Sequence, residues 1–89
     1  MAEVVMYTRS WCGYCHRAKA LLEAKSQAFL EHDVEIDPTK EEEMLRRSQR
    51  TSVPQIFVGE VHVGGYDDLA ELERRGELDR LLDEEGGEE

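Results

Sequence analysis

The sequence predicts an α/β domain on a small mixed sheet, and three observations carry that expectation. First, an apolar, β-branched run, Glu3–Thr8, precedes a helical pattern and then an alternating stretch, His32–Asp37. That is a β-α-β unit, whose two strands run parallel through a right-handed crossover. Second, Gln55–Val58 and Val61–Val63 are short strands separated by Gly59 and Glu60, which reads as a β-hairpin. Third, helical patterns fill the remaining gaps, giving the order β-α-β-α-β-β-α-α with helices on both faces. With 89 residues, no internal repeat and no composition break, the chain reads as a single domain, 1–89.

The elements follow in order. Val4 and Val5 make the first run a buried strand. In the helix after it, Tyr14, Ala18, Leu21 and Leu22 fall near helical spacing, and Ala, Leu, Lys and Glu favour helix. In the second strand Val34 and Ile36 share one side and Asp33 and Glu35 the other; Phe29 and Leu30 belong either to this strand or to the helix end. Pro38 and Thr39 ahead of three glutamates signal a helix start, with Met44 and Leu45 on the buried side. Acidic residues before Arg46 and Arg47 suit the helix dipole. After the hairpin, Gly64-Gly65 breaks the chain, and a helix begins with Asp67 or Asp68 near its cap. Gly76 interrupts before a short last helix, and residues 84–89 read as a frayed acidic tail.

Composition excludes several function classes. Acidic residues outnumber basic ones 21 to 11, for a formal charge of −10. Nucleic-acid binding needs a basic face, and so does attraction to an anionic membrane. The acidity fits plain solubility, or a saline or high-G+C source. No apolar run approaches the ~20 residues of a membrane span. The start, MAEVVMYTR, lacks the pattern of a signal peptide, so the chain reads as cytoplasmic. In that compartment a C-x-x-C is catalytic or metal-binding rather than structural, and so short a loop adds little stability.

The two cysteines, Cys12 and Cys15, stand two residues apart ahead of His16. C-x-x-C-H is the haem-c signature, and C-x-x-C is also half of a zinc site. Haem attachment needs export and an axial ligand. Structural zinc needs four ligands, and only His16, His32 and His62 could complete a set. The motif instead sits where a strand turns into a helix. Unpaired N–H groups there stabilise a thiolate, and position favours Cys12. Cys12 is therefore expected to attack and leave, and the more buried Cys15 to resolve.

The segments YTRSWCGYCHRAKALL, TSVPQIFVG and VGGYDDLAEL together resemble the glutaredoxins, most closely the small bacterial dithiol kind, from about Val4 to Leu82. The resemblance implies a thioredoxin-like fold with strand order 2-1-3-4. It implies a glutathione-dependent thiol–disulfide oxidoreductase with Cys12 and Cys15 catalytic. It implies a cis Val53–Pro54 bond facing the dithiol, although Pro54 alone would read as a strand-start proline. Glutathione would lie against Arg9, Tyr14, Ser52, Val53, Pro54, Gly65, Tyr66, Asp67 and Asp68. Its γ-glutamyl carboxylate would meet the helix N-terminus, and its ammonium Asp68. Arg9 would meet the glycyl carboxylate. The partners implied are disulfide-bearing or glutathionylated proteins, with ribonucleotide reductase as one candidate, and the protein would act as a monomer.

Two residues depart from the family pattern. Gly13 stands where proline is familiar. Some family members with a small residue there assemble a [2Fe–2S] cluster on the first cysteine of two subunits and two glutathiones. Cys12 would be the metal ligand in that alternative; otherwise no metal is expected. Ser52 stands where threonine is commoner and keeps the hydroxyl.

Overall fold

The computed structural model describes residues 3–86. The elements are β1 (Val4–Thr8), α1 (Gly13–Ala24), β2 (Leu30–Asp33), α2 (Pro38–Ser48), β3 (Gln55–Val58), β4 (Val61–Gly64), α3 (Tyr66–Arg74) and α4 (Leu78–Gly86). The sheet order is β2-β1-β3-β4. β1 pairs parallel with β2 and antiparallel with β3. β3 and β4 form the antiparallel hairpin, turning at Gly59 with φ +57°.

Strand alternation divides the core in two. Val4, Met6, Ile56 and Val58 face α1, α3 and α4, burying Ala18, Leu22, Leu69 and Leu78. Tyr7 and Phe57 point to the other face, where α2 covers them with Met44 and the buried Val34 closes the layer. Three helices thus cover one face and α2 covers the other. Lys25 ties the first group together, pairing with Glu73 at 2.8 Å and Asp79 at 2.9 Å.

The second strand lies earlier than expected. It spans Leu30–Asp33, and Val34–Ile36 form a turn rather than its continuation. The cause is Asp33. Its carboxylate accepts the Glu35 N–H at 2.9 Å and the Ile36 N–H at 3.2 Å, a local bond set that competes with the ladder. Val34 still donates to the Thr8 carbonyl and is buried, but Ile36 is 80% exposed. Leu45 is a second difference. It is half exposed because α2 lies alone on its face and buries only a narrow stripe, Met44 and Ser48. Asp37 caps this helix, accepting from the Thr39 N–H at 3.1 Å, with Pro38 in its first turn. Of the tail expected at 84–89, residues 84–86 continue α4 and 87–89 lie outside the described residues.

Two carboxylates fasten the sheet through buried hydroxyls. The Tyr7 hydroxyl donates to Glu43 of α2 and accepts from Arg47 at 2.9 Å. The Tyr7 bond is the main cause holding the Glu43 carboxyl below its usual range. Burial pushes Glu31 upward, but hydrogen bonds from Thr8 and Lys19 outweigh it and leave the carboxyl lowered. Groups with lowered folded values contribute stability above the unfolded carboxyl range, near ~4.3, and lose it as pH falls through the folded values. The melting temperature should therefore hold from pH 7 to about 5 and decline steadily below about 4.5. Tyr7→Phe should cost about 1 kcal/mol at pH 7 and flatten that acid limb. Thermal melts of both proteins across pH 3–7 check this; an acid limb equally steep in Tyr7→Phe would refute the Glu43 assignment.

Candidate active site at the first helix N-terminus

The chain leaves β1 at Thr8 and turns tightly, the Cys12 N–H donating to the Arg9 carbonyl at 3.2 Å. Cys12 is the N-cap of α1, with extended backbone at φ −89° and ψ 112°. Its sulfur does what a serine or aspartate oxygen ordinarily does there, accepting the Cys15 N–H at 3.1 Å. Such a bond strengthens as the acceptor gains negative charge. Cys12 is 5% exposed and Cys15 fully buried, and both are free thiols. Burial, followed by the hydrogen bond with Cys12, pushes the Cys15 thiol up to about 12. Cys15 is therefore held as a protonated thiol, and Cys12 is the more accessible of the two sulfurs.

Opposite stands the loop before β3. The Val53–Pro54 bond is cis. The Val53 carbonyl lies 3.6 Å from the Cys12 sulfur. Beside this pair opens a cleft of about 280 Å³. α1 contributes Tyr14, and the loop contributes Ser52, Val53 and Pro54. Gly65, Tyr66, Asp67 and Asp68 come from the start of α3. Tyr14 is half exposed rather than a core residue of α1; its ring stacks on Tyr66 with centroids 6.2 Å apart.

The cap of α3 uses one of the two expected aspartates. The N-cap is Gly65, and Asp68 reaches back from the third helical position to accept the Gly65 N–H at 3.0 Å. Gly64 makes room for this. Its φ is +115°, and a Cβ there would overlap the Asp68 carboxylate. Gly65 has an ordinary φ of −93°.

One expected residue lies apart from the cleft lining. Arg9 pairs with Glu41 of α2 at 2.9 Å. Two lining residues were not singled out from the sequence, Arg50 and Gln55. The Arg50 guanidinium lies 4.0 Å from the Asp68 carboxylate. Gln55 carried a usable signal, a polar side chain opening the otherwise apolar run QIFV. A larger cleft, about 470 Å³, lies between β4, α3 and α4. Neither cleft is lined by a cysteine, but the smaller one is lined by Val53, whose carbonyl lies 3.6 Å from the Cys12 sulfur, so it is the candidate site.

Known proteins agree with this geometry. The family model for Glutaredoxin matches residues 4–63. Glutaredoxin 3 of Escherichia coli (strain K12) is 54% identical over 82 residues, 92% of this chain and 99% of that protein. The solution structure of a glutaredoxin from Brucella melitensis is 50% identical with a TM-score of 0.82, covering 100% of this chain and 96% of that one. The crystal structure of a buckwheat glutaredoxin–glutathione complex is 27% identical with a TM-score of 0.86, covering 96% of this chain and 80% of that one. The four-stranded sheet is the thioredoxin-like fold those proteins share. This chain belongs to the glutaredoxin family, and its activity is that of a thiol–disulfide oxidoreductase.

Proposed function

We propose that the protein uses glutathione as co-substrate to reduce protein disulfides and glutathione mixed disulfides through Cys12 and Cys15. The observation that carries this is the placing of the Cys12 sulfur beside the Val53 carbonyl at the edge of the cleft. A sulfur joined to Cys12 would sit next to a free peptide edge, which pairs with the backbone of a peptide-like ligand as an added strand does. Ser52, Val53 and Pro54 form that edge. Tyr14 and Tyr66 cover the cysteinyl part. Gly65, Tyr66 and Asp67 present the N-terminus of α3 to the γ-glutamyl carboxylate, with Arg50 nearby. Asp68 accepts from the ammonium with the capacity its Gly65 bond leaves. Arg9 exchanges Glu41 for the glycyl carboxylate.

In the one-cysteine cycle the Cys12 thiolate attacks the glutathione sulfur of a mixed disulfide. The Cys12–glutathione bond forms, the old S–S bond breaks, and the target leaves as a thiolate that takes a proton from water. A second glutathione thiolate attacks the bound glutathione sulfur, releasing glutathione disulfide and the Cys12 thiolate. With a protein disulfide, the Cys12 thiolate attacks one target sulfur, and the other leaves as a thiolate that takes a proton from water. Cys15 then loses its proton to solvent, attacks the Cys12 sulfur and expels the target's second thiolate. Two glutathiones then reduce the Cys12–Cys15 disulfide and leave as glutathione disulfide. Couples of this kind sit at roughly −200 to −230 mV, near the cytosolic glutathione poise. We place the protein in the cytoplasm as a monomer, with ribonucleotide reductase among its candidate targets. No helix among the described residues is long and apolar enough to cross a membrane.

A second reading has one observation behind it. A Cβ at Gly13 would meet nothing within 4 Å, so packing within this chain does not require glycine there. The open space beside Cys12 suits a homodimer that holds a [2Fe–2S] cluster through two Cys12 thiolates and two glutathiones. Anaerobic reconstitution with iron, sulfide and glutathione should then give a coloured dimer; a colourless monomer would eliminate this reading.

Iodoacetamide at pH 7 should label Cys12 and spare Cys15, as peptide mass spectrometry would show; labelling of Cys15 first would reverse the roles. In a mixed-disulfide assay coupled to glutathione reductase, Cys12→Ser should lose at least about 10³-fold in rate, whereas Cys15→Ser should stay within a few fold of wild type. Turnover in Cys12→Ser would overturn the nucleophile, and no turnover in folded wild-type protein would overturn glutathione as co-substrate.

A further inference from the structure

One polar residue interrupts the buried strand β3. Gln55 is 1% exposed, and both ends of its amide are engaged. Its Nε2 donates to the Ser52 carbonyl at 3.0 Å and to the Ser52 hydroxyl at 3.2 Å. Its Oε1 lies 2.7 Å from Nε2 of His62 on β4. The donor directions follow from chemistry. A backbone carbonyl only accepts, so Gln55 must turn its NH₂ to Ser52 and its oxygen to His62. That oxygen also only accepts, so the proton of the His62 ring sits on Nε2.

The ring is held in place independently. It stacks on Phe57 with centroids 4.7 Å apart and planes at 22°. The Arg47 guanidinium lies over Phe57 at 4.0 Å. Burial first, then the charges of Arg50 and Arg47, push the His62 ring down against the opposing pull of Asp68, so it is neutral at pH 7.

We propose that His62 and Gln55 are positioning residues for the thiol–disulfide reaction. His62 orients Gln55, and Gln55 anchors Ser52 so that the Val53 carbonyl stands opposite Cys12 and the peptide edge faces the substrate. The inference deepens the glutathione reading and rests on it for its kinetic consequence. Neither side chain touches the reacting sulfurs. Both act through the Ser52–Pro54 loop, so their removal loosens the binding edge and leaves the Cys12 nucleophile in its helix cap.

His62→Phe is the discriminating variant, because it keeps a flat ring over Phe57 and removes the donor. It should raise KM for a glutathione mixed disulfide about five-fold while kcat stays within about two-fold. Gln55→Leu should shift KM the same way, and adding His62→Phe to it should change nothing more. A residue that only stabilises the sheet would alter the melting temperature without this KM split or this coupling. Nitrogen-detected NMR of wild type at pH 7 should show the Nε2–H tautomer of His62, and His62→Phe should shift the Gln55 side-chain amide and the Val53 backbone amide. An Nδ1–H tautomer, an unmoved Val53 amide, or an unchanged KM in folded His62→Phe would overturn the relay. Should Gln55→Leu fail to fold, His62→Phe and the tautomer decide. Should wild type show no glutathione turnover, that reading fails, and the two NMR measurements still decide the relay.

Discussion

The hydrogen bond from the Cys15 amide to the Cys12 sulfur makes the proposed nucleophile the cap of its helix as well. An oxygen cap from serine or aspartate would be the ordinary way to begin α1. Using sulfur fixes the reactive atom by the helix axis rather than by a flexible loop. The helix in turn is fixed because its apolar side packs against β1 and β3. Ala18 and Leu22 lie against Met6 and Ile56 in the layer beneath it. Placement of the thiol therefore depends on the β1–α1 junction, and the junction depends on the sheet.

The sheet sets the opposing half of the site as well. β3 lies beside β1, so the loop that enters it ends next to the turn that leaves β1. That adjacency brings the Val53 carbonyl to the Cys12 sulfur across 41 positions of sequence. α3 then packs on α1 and starts at the far wall of the cleft. The three parts of the site thus come from three separate chain segments, each at the end of an element rather than within one. Short connections at strand ends are where a small α/β domain can present backbone groups without breaking its ladder.

Much of this was legible, for unequal reasons. Residue pattern alone gave the element order, because β-branched runs, a two-residue hairpin turn and helix caps are local signals. Strand order, the cis bond and the grouping of Ser52 with Asp68 came from resemblance, since nothing local encodes which strands become neighbours. Alternation misplaced β2. Val34 and Ile36 continue a period of two, but the Asp33 carboxylate folds the backbone into a turn before the second of them is reached. Leu45 misled for a different reason. Helical spacing marks an apolar side, but the width of the buried stripe depends on how many neighbours the helix has. Gln55 left a trace, a polar side chain opening an apolar run, but its partner His62 and Arg50's neighbour Asp68 meet them only once β4 and α3 are folded beside them.

The raised value of Cys15 acts as a form of timing. Burial is its largest cause, and burial does not change during turnover. The next cause is the hydrogen bond with Cys12, and the charge of Cys12 adds further. Both depend on the state of the neighbouring sulfur. In the proposed cycle Cys12 enters a disulfide before Cys15 acts, and a disulfide sulfur carries no charge, so those two contributions fall away and Cys15 becomes easier to deprotonate at that step. In the same proposed cycle a glutathione held in the cleft can outlast that moment, since a second glutathione also attacks the mixed disulfide. Which path wins then depends on how firmly the loop of Ser52–Pro54 holds the bound peptide while Cys15 is still shedding its proton. On that reading the backbone edge proposed to recognise the substrate also takes part in choosing between one-cysteine and two-cysteine turnover.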